Sequence, residues 1–379
     1  MNCCRPISFF IPALNCGGAQ KVVVNLANAL VDLTDNQIHV VLARYEGEFL
    51  ADLRSEIIVF DLKTKRASKS IFALARYLKL VRPHVIVSSM SYVNVICIIA
   101  AFLAGKPCKV VVREDSVVRR PSGGLADKSM CFLIQFLMRL LYPYANSVVS
   151  ISDSVLKSIL DSRIKVKNKV YVIGNPVCVD SFIESKRIID DIAELSLPDF
   201  FICAIGRLTD AKGFDILLDA FSKVKNRKLH LVIVGQGELR NFLFHRSCEL
   251  GLESRVHLVG YVNNPISILQ KAQVFVLSSR WEGFGIALVE ALAVGIPIVS
   301  VDCFGAPREI LENGIHGLLV PSEDPIALAN GIDMSLYNPV GTREGRIKRS
   351  LDFSPDKIAR LYLDQVLLPI KDPSKDCSH

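Results

Sequence analysis

Two series of short apolar runs, each interrupted by segments with helical spacing, occupy the chain. The first opens with "ISFFIPALNCGGAQKVVVNLANALV". It reads as a buried strand, a Gly-rich turn at Gly17-Gly18, and a helix with Val22, Val23, Leu26, Ala29 and Leu30 apolar. Strand-like runs follow at "IHVVLA", "IIVF", "HVIVSSM", "CKVVVRE" and "SVVSIS". Continuous apolar runs of this kind predict a mainly parallel sheet covered by helices on both faces. The pattern restarts after Pro198 with "FFICAIGRL", "KLHLVIVGQG", "RVHLVGYV", "VFVLSS", "IPIVSV" and "GLLVP", and with helices such as "GFDILLDAFSKVK" between them. The fold class is therefore α/β, with two doubly wound, Rossmann-like domains.

The stretch from Gly174 to Pro198 combines Gly-Asn-Pro with a polar, acidic run and is the expected linker. This gives an N-terminal domain over 1–177, a C-terminal domain over 178–355, and a closing helix and tail over 356–379. That helix, "DKIARLYLDQVLLPI", follows Phe353-Ser354-Pro355, with Pro355 as a helix-starting proline. Packing back on the first domain or on the second is open to it.

Length agrees with two domains, because 379 residues exceed the size at which one core stops growing. Half the residues are hydrophobic and 22% are charged, which excludes a disordered or low-complexity chain. The longest apolar run, Val93 to Gly105, covers 13 residues. It falls short of the roughly 20 that a spanning helix needs and reads as a buried helix. Eleven cysteines, none in a CxxC pair, lie scattered through apolar runs without a secretory signal. They imply reduced thiols and a cytoplasmic location. Seven histidines show no HxxxH or Cys/His spacing and no DxD triplet occurs, so neither a metal site nor a metal cofactor is expected.

In open parallel sheets, ligands sit beyond the carboxyl ends of the strands, so the chemistry is sought in the loops there. "AIGRLTDAKGFDILLDAF" puts Arg207 at a strand end, Lys212 five residues on and Gly213 at the mouth of a helix. Two cations of different reach beside a helix N-terminus suit a diphosphate; two solvated loop cations are the alternative. "VGQGELR" lacks the third glycine of a phosphate-binding fingerprint and reads as turn geometry alone.

"RWEGFGIALVEALAVGIPIVS" carries Glu282 and Glu290 around a turn of Gly283, Phe284 and Gly285. The glycines allow backbone N–H groups to approach a ligand, and "IALVEALA" is a helix whose N-terminus points at the turn. Glu290 lies about two turns along and Glu282 stands ahead of it, so the two are not an i,i+4 pair. They should contact different parts of one elongated ligand. Carboxylates accept hydrogen bonds from vicinal hydroxyls, which makes sugar and ribose the natural partners. A surface role fits Glu290 poorly, since Leu288, Val289, Ala291 and Leu292 surround it.

Arg207 and Lys212 in "GRLTDAKG", the Glu282-x7-Glu290 pair in "WEGFGIALVEA", the early "GGAQKV" and the late "GLLVPSEDPIALA" resemble the retaining glycosyltransferases of family 4, of the bacterial glycan-assembly type. The resemblance covers most of the chain and is most specific in the second domain. It implies the GT-B fold, with two Rossmann-like domains facing across a cleft. It implies that Arg207 and Lys212 hold the nucleotide diphosphate, Glu290 the ribose, and that Glu282 lies by the transferred sugar. Gly283, Phe284 and Gly285 join the donor site, Tyr261 in "GYVNNP" lies by the nucleobase, and Gly17 and Gly18 approach the diphosphate. One departure stands out. Many members carry a histidine on the acceptor side where this chain reads "VVVREDS"; Arg113, Glu114 and Asp115 occupy that region instead, so the histidine's role does not transfer, and a strand-end charge cluster solvated at the domain edge is the alternative.

The implied reaction moves a sugar from a nucleotide-diphosphate sugar, UDP-sugar favoured over GDP-sugar, to a saccharide hydroxyl, with no cofactor beyond the donor. A sugar-nucleotide epimerase, a phosphorylase and a non-catalytic sugar-nucleotide binding protein are the competing readings. Net charge adds a partner. Residues 1–180 hold 23 Lys/Arg against 13 Asp/Glu, a net +10, while 181–379 hold 22 against 25, a net −3. "RRPSGGLADKSMCFLIQFLMRLLYPYA" sets Arg119, Arg120, Lys128 and Arg139 beside Phe132, Leu133, Phe136, Leu137 and Leu140. That combination suits a peripheral anionic membrane surface and a lipid-linked glycan acceptor; an ordinary buried helix face is the alternative. No nucleic-acid reader motif occurs, and the sequence carries no signal for oligomeric state.

Overall fold

The computed structural model describes residues 5–15, 17–64, 67–118, 125–166, 169–178, 197–262 and 264–368. Seven parallel strands form the first sheet: β1 (Ile7–Ile11), β2 (Ile38–Leu42), β3 (Ile58–Asp61), β4 (Val85–Ser89), β5 (Lys109–Glu114), β6 (Ser147–Ser150) and β7 (Lys169–Val172). Their order is β3-β2-β1-β4-β5-β6-β7. Every residue of β1, β2 and β4 is buried, as strands covered on both faces require. The order reverses between β1 and β4, where Ile7 stands opposite both Ile38 and Val85.

The helices here are α1 (Gly18–Val31), α2 (Ile71–Val81), α3 (Ser91–Leu103), α4 (Leu125–Leu141) and α5 (Asp153–Asp161). The apolar run at Val93 becomes α3, which packs against both α2 and α4. A helix apolar all round needs neighbours on several sides. No described helix is long and apolar enough to cross a membrane. Strand β7 is missing from the sequence reading. Lys169 and Val172 are exposed while Val170 and Tyr171 are partly buried, as befits a short edge strand.

Between β1, β2 and α2 lies a polar knot. The Tyr77 hydroxyl is 2.8 Å from both Ser8 Oγ and His39 Nδ1, and His39 Nε2 is 3.0 Å from Gln37 Oε1. Burial pulls the His39 imidazole down to about 4 and pushes the Tyr77 phenol up.

The second sheet is also parallel: β8 (Phe201–Ile205), β9 (His230–Val234), β10 (Val256–Gly260), β11 (Val274–Leu277), β12 (Ile298–Val301) and β13 (Leu318–Val320), in the order β10-β9-β8-β11-β12-β13. Its helices are α6 (Phe214–Phe221), α7 (Arg240–Glu249), α8 (Ile266–Lys271), α9 (Ile286–Val294), α10 (Pro307–Ile310), α11 (Pro325–Tyr337) and α12 (Arg343–Ser350). Local chemistry fixes their starts. Asp324 caps α11 by accepting from the Ile326 and Ala327 N–H groups, with Pro325 at the first position.

The chain divides into two compact units, one running to Pro176 and resuming at Pro355, the other from Val177 to Ser354. A last helix, α13 (Pro355–Tyr362), packs on α1, and Ile358, Ala359 and Tyr362 join the core of the first unit. The expected linker falls largely on 179–196, outside the described residues.

Candidate active site

The loops beyond β8, β9 and β10 in the second unit are tied backbone to backbone. Gly206 N–H donates to Val234 O at 3.0 Å, Leu208 N–H to Gln236 O at 2.9 Å, and Gly235 N–H to Gly260 O at 2.7 Å. "VGQGELR" is thus a turn that locks its neighbours. Arg207 is exposed at this rim, and its guanidinium forms no ion pair among the described residues. Tyr261, just past β10, is about half exposed.

A tight 3₁₀ turn, Asp210–Lys212, carries Lys212 inward. Lys212 Nζ lies 2.5 Å from Glu282 Oε2, and Ser279 Oγ donates to the same oxygen at 3.2 Å. Ser278 Oγ donates to Lys212 O at 2.9 Å, which fixes the backbone under the ammonium. Both members of the pair are mostly buried, and an ammonium with three donors keeps capacity for a further anion.

Sequence reasoning missed Arg280. Its guanidinium grips Asp215 at 2.9 and 2.6 Å, donates to Asp210 O at 2.9 Å, and its backbone N–H donates to Ala211 O at 2.9 Å. Burial alone would raise the Asp215 carboxyl, but Arg280 holds it below its ordinary value. Arg280 therefore clamps the loop of Lys212 to the loop of Glu282. The signal was present in "RWEGFG", but its partner lies 65 residues away in sequence.

Glu282 is held from behind by the loop after β12. Its N–H donates to Phe304 O at 3.0 Å, and a Cβ on Gly305 would stand 1.8 Å from Glu282 O. Only glycine allows this approach, and its φ of +145° adds a second reason. Cys303 shares the loop. Burial pushes its thiol up to about 12, and the Glu282 charge acts in the same direction.

Past Glu282, the Gly283–Gly285 turn feeds α9 directly. Glu290 is only 4% exposed. The helix begins at Ile286, so Glu290 is its fifth residue, little more than one turn along rather than two. Along the chain the two carboxylates flank the N-terminus of α9. A held ammonium, an exposed guanidinium, a helix N-terminus and two carboxylates suit an elongated ligand with a diphosphate and hydroxyls. Among the described residues no group of three or more His, Cys, Asp or Glu is placed to hold a metal ion.

In the first unit, Gly17 precedes α1 and Gly18 is its first residue, so both stand at a helix N-terminus after β1. Arg113, Glu114 and Asp115 end β5 in a packed network. Arg113 is 1% exposed; it pairs with Asp115, donates to Asn175 Oδ1, and reaches Tyr362 Oη on α13 at 3.0 Å. Glu114 is fully buried and accepts from Tyr142, from Ser91 at 2.8 Å and from Asn94 at 2.9 Å. Burial pushes its carboxyl up against these hydrogen bonds. Arg113 and Glu114 are buried and the Asp115 carboxylate oxygens are covered, so the three are not a charge cluster solvated at a domain edge.

Helix α4 turns an apolar face outward. Met130, Phe132, Leu133, Phe136 and Leu140 are each at least half exposed, while Met138 is buried. A buried helix face is therefore not what these residues form. Tyr144 and Phe102 meet edge-on at 5.2 Å, and the Lys106 ammonium sits 4.4 Å from the Phe102 centroid. Arg139 lies on the exposed side. Arg119 and Arg120 lie outside the described residues, and so does the side chain of Lys128.

Comparison with known proteins agrees with this fold. The family model for Glycosyltransferase Family 4 matches residues 16–181, and that for Glycosyl transferases group 1 matches 185–350. From Campylobacter jejuni, the N-acetylgalactosamine-N,N'-diacetylbacillosaminyl-diphospho-undecaprenol 4-alpha-N-acetylgalactosaminyltransferase is 28% identical over 377 residues, covering 96% of this chain and 100% of that protein. The Staphylococcus aureus capsular polysaccharide biosynthesis glycosyltransferase CapM is 25% identical, covering 82% of this chain and 78% of that protein. The crystal structure of Anabaena Alr3699/HepE in complex with UDP and glucose superimposes with a TM-score of 0.77 at 20% identity, covering 95% of this chain and 98% of the other. The lipopolysaccharide outer core galactosyltransferase WaaB gives 0.71 at 20% identity, with the same shares covered. Two parallel Rossmann-like sheets and family-model matches along both units make this chain a member of glycosyltransferase family 4 with the GT-B fold.

Proposed function

We propose that the chain is a retaining, metal-independent hexosyltransferase. It would move a sugar from a nucleotide-diphosphate donor, UDP-sugar favoured over GDP-sugar, to a hydroxyl of a lipid-linked saccharide during surface polysaccharide assembly. The observation that carries this reading is the Lys212–Glu282 pair at 2.5 Å, set at the C-terminal rim of a parallel sheet beside the α9 N-terminus. Lys212 and Arg207 would take the diphosphate and stabilise the charge it gains as it leaves. Glu290 would accept from the ribose hydroxyls, and Glu282 would orient the sugar. In a same-face transfer the bond from the anomeric carbon to the phosphate oxygen breaks as the bond to the acceptor oxygen forms. The departing phosphate oxygen takes the acceptor's proton, so no separate base or metal is needed.

The acceptor class rests on two supports. The Campylobacter jejuni relative is named for transfer to a diphospho-undecaprenol-linked saccharide. The exposed apolar face of α4, flanked by Arg139, suits peripheral docking on an anionic membrane, here its cytoplasmic face. The test is a panel of UDP- and GDP-sugars screened for thermal stabilisation, then transfer assays with lipid-linked and soluble saccharides, with and without chelator. Acceptor-dependent release of the nucleoside diphosphate, with the anomeric configuration kept and chelator without effect, is the expected result. Turnover without acceptor would favour an epimerase, binding without turnover a sensor. Complete loss on chelation, restored by Mg²⁺ or Mn²⁺, would end the metal-free mechanism.

A further inference from the structure

The turn between the two glutamates has a single side chain by which it can be held, because Gly283 and Gly285 offer none. That side chain is Phe284, 4% exposed, and its ring meets the ring of Phe353 edge-on, with centroids 5.5 Å apart and planes at 79°. Phe353 is itself buried and gripped from two further directions. The Arg349 guanidinium lies 4.9 Å from its ring centroid, and its carbonyl accepts from Val177 N–H at 2.8 Å, where the chain enters the second unit. Arg349 reaches a second segment as well. Its Nε donates to Ile310 O and its Nη2 to Glu309 O, both at 2.9 Å, at the end of α10. That short helix follows Gly305, which backs directly on Glu282. One aromatic and one guanidinium thus brace both the turn after Glu282 and the loop behind it.

We infer that Phe353, backed by Arg349, is a positioning residue of the donor site. It fixes the direction in which the Gly283–Gly285 backbone and the first turn of α9 present their N–H groups. Neither residue touches the donor under the proposed function, on which the inference rests; both act through Phe284. A merely structural Phe353 would contribute burial and nothing more. The two roles separate because small displacements of a preorganised donor set weaken binding far more than they lower stability.

The test compares Phe353→Leu and Arg349→Met with Phe221→Leu, a control in the same unit. Phe221 is likewise buried, with the Arg255 guanidinium 4.9 Å from its ring, but stands apart from the site. Two readouts are taken: binding of UDP and GDP, and amide exchange at Leu288 and Val289, whose N–H groups bond to Gly285 O. Phe353→Leu and Arg349→Met should speed that exchange and weaken the bound nucleotide by about tenfold each, while Phe221→Leu lowers the melting temperature and leaves both readouts unchanged. Unchanged exchange in both site variants would overturn the inference. So would faster exchange with unaltered nucleotide affinity, or equal effects from the control. Failure of the donor reading shows separately, as a wild-type protein that binds neither nucleotide, and it removes the inference as well.

Discussion

Lys212 Nζ and Glu282 Oε2 stand 2.5 Å apart, so the ammonium proposed for the diphosphate is paired with the carboxylate proposed for the sugar. The two ligands of Lys212 therefore compete. Lys212→Ala should lower kcat by about two to three orders of magnitude with the fold intact, as loss of a donor facing developing charge does. Glu282→Gln removes the competitor but keeps the shape. It should slow transfer while tightening binding of the bare nucleoside diphosphate. Calorimetric titration with UDP and GDP checks this, and weaker binding in Glu282→Gln would contradict the competition.

Arg280 fixes the geometry of that pair through Asp215 and Asp210. Arg280→Lys keeps the charge and loses the two-pronged grip, so the Lys212 loop should loosen. The expected result is a fall in kcat/KM of about tenfold with a small change in melting temperature. Unchanged kinetics would mean that the Lys212 loop holds its place without the clamp.

Among the described residues three histidines hold their imidazoles below the ordinary value: His39, to about 4, by burial, His84 by burial and then Lys109, and His257 by burial and then His230. For such groups the unfolded chain binds the proton first, so stability rises with pH. The His39 contribution is whole above 6.5 and is lost as the pH falls toward about 4. Glu114 works in the opposite sense. Burial raises its carboxyl, so its contribution is whole at low pH and is lost as the pH rises past its unfolded value. Comparing wild type with His39→Gln isolates the first effect. The difference in thermal midpoint should shrink between pH 6.5 and 4, and a constant difference would refute the assignment.

The parts of this molecule that were legible in its sequence are those whose signal is local. Continuous apolar runs announced β1, β4, β8 and β11, and Gly283 and Gly285 ahead of "IALVEALA" announced a turn followed by a helix. Strand β7 was passed over, because its apolar run "VYVI" is short and abuts the expected linker at Gly174. The sequence placed Arg113, Glu114 and Asp115 on the acceptor side, but it could not show that Tyr362, Asn175, Asn94 and Tyr142 enclose the first two. Each of those contacts joins distant segments, and no period or spacing encodes it. The same holds for Arg280 with Asp215 and for Phe284 with Phe353.

The outward face of α4 carries the last prediction. Phe132, Leu133, Phe136 and Leu140 recur at helical spacing and stay exposed, and large apolar side chains in such a row cost solubility unless something covers them. Cations accompany them: Arg139 lies on the same helix, and Lys106 stacks over Phe102 near its end. Insertion of the apolar row into the headgroup boundary would gain from burial, and each basic residue near anionic lipid adds roughly 1 kcal/mol that salt screens. The first term is insensitive to salt and the second is not. Phe132→Ser with Phe136→Ser should therefore abolish association with anionic vesicles even at low salt. Arg139→Gln should weaken it only modestly, in a way that added salt mimics. Transfer to a lipid-linked acceptor in vesicles should fall with the first pair of substitutions, while transfer to a soluble acceptor fragment stays the same. Should the wild-type protein ignore anionic vesicles at low salt, or the serine variants bind them as well as it does, this face serves something other than a membrane.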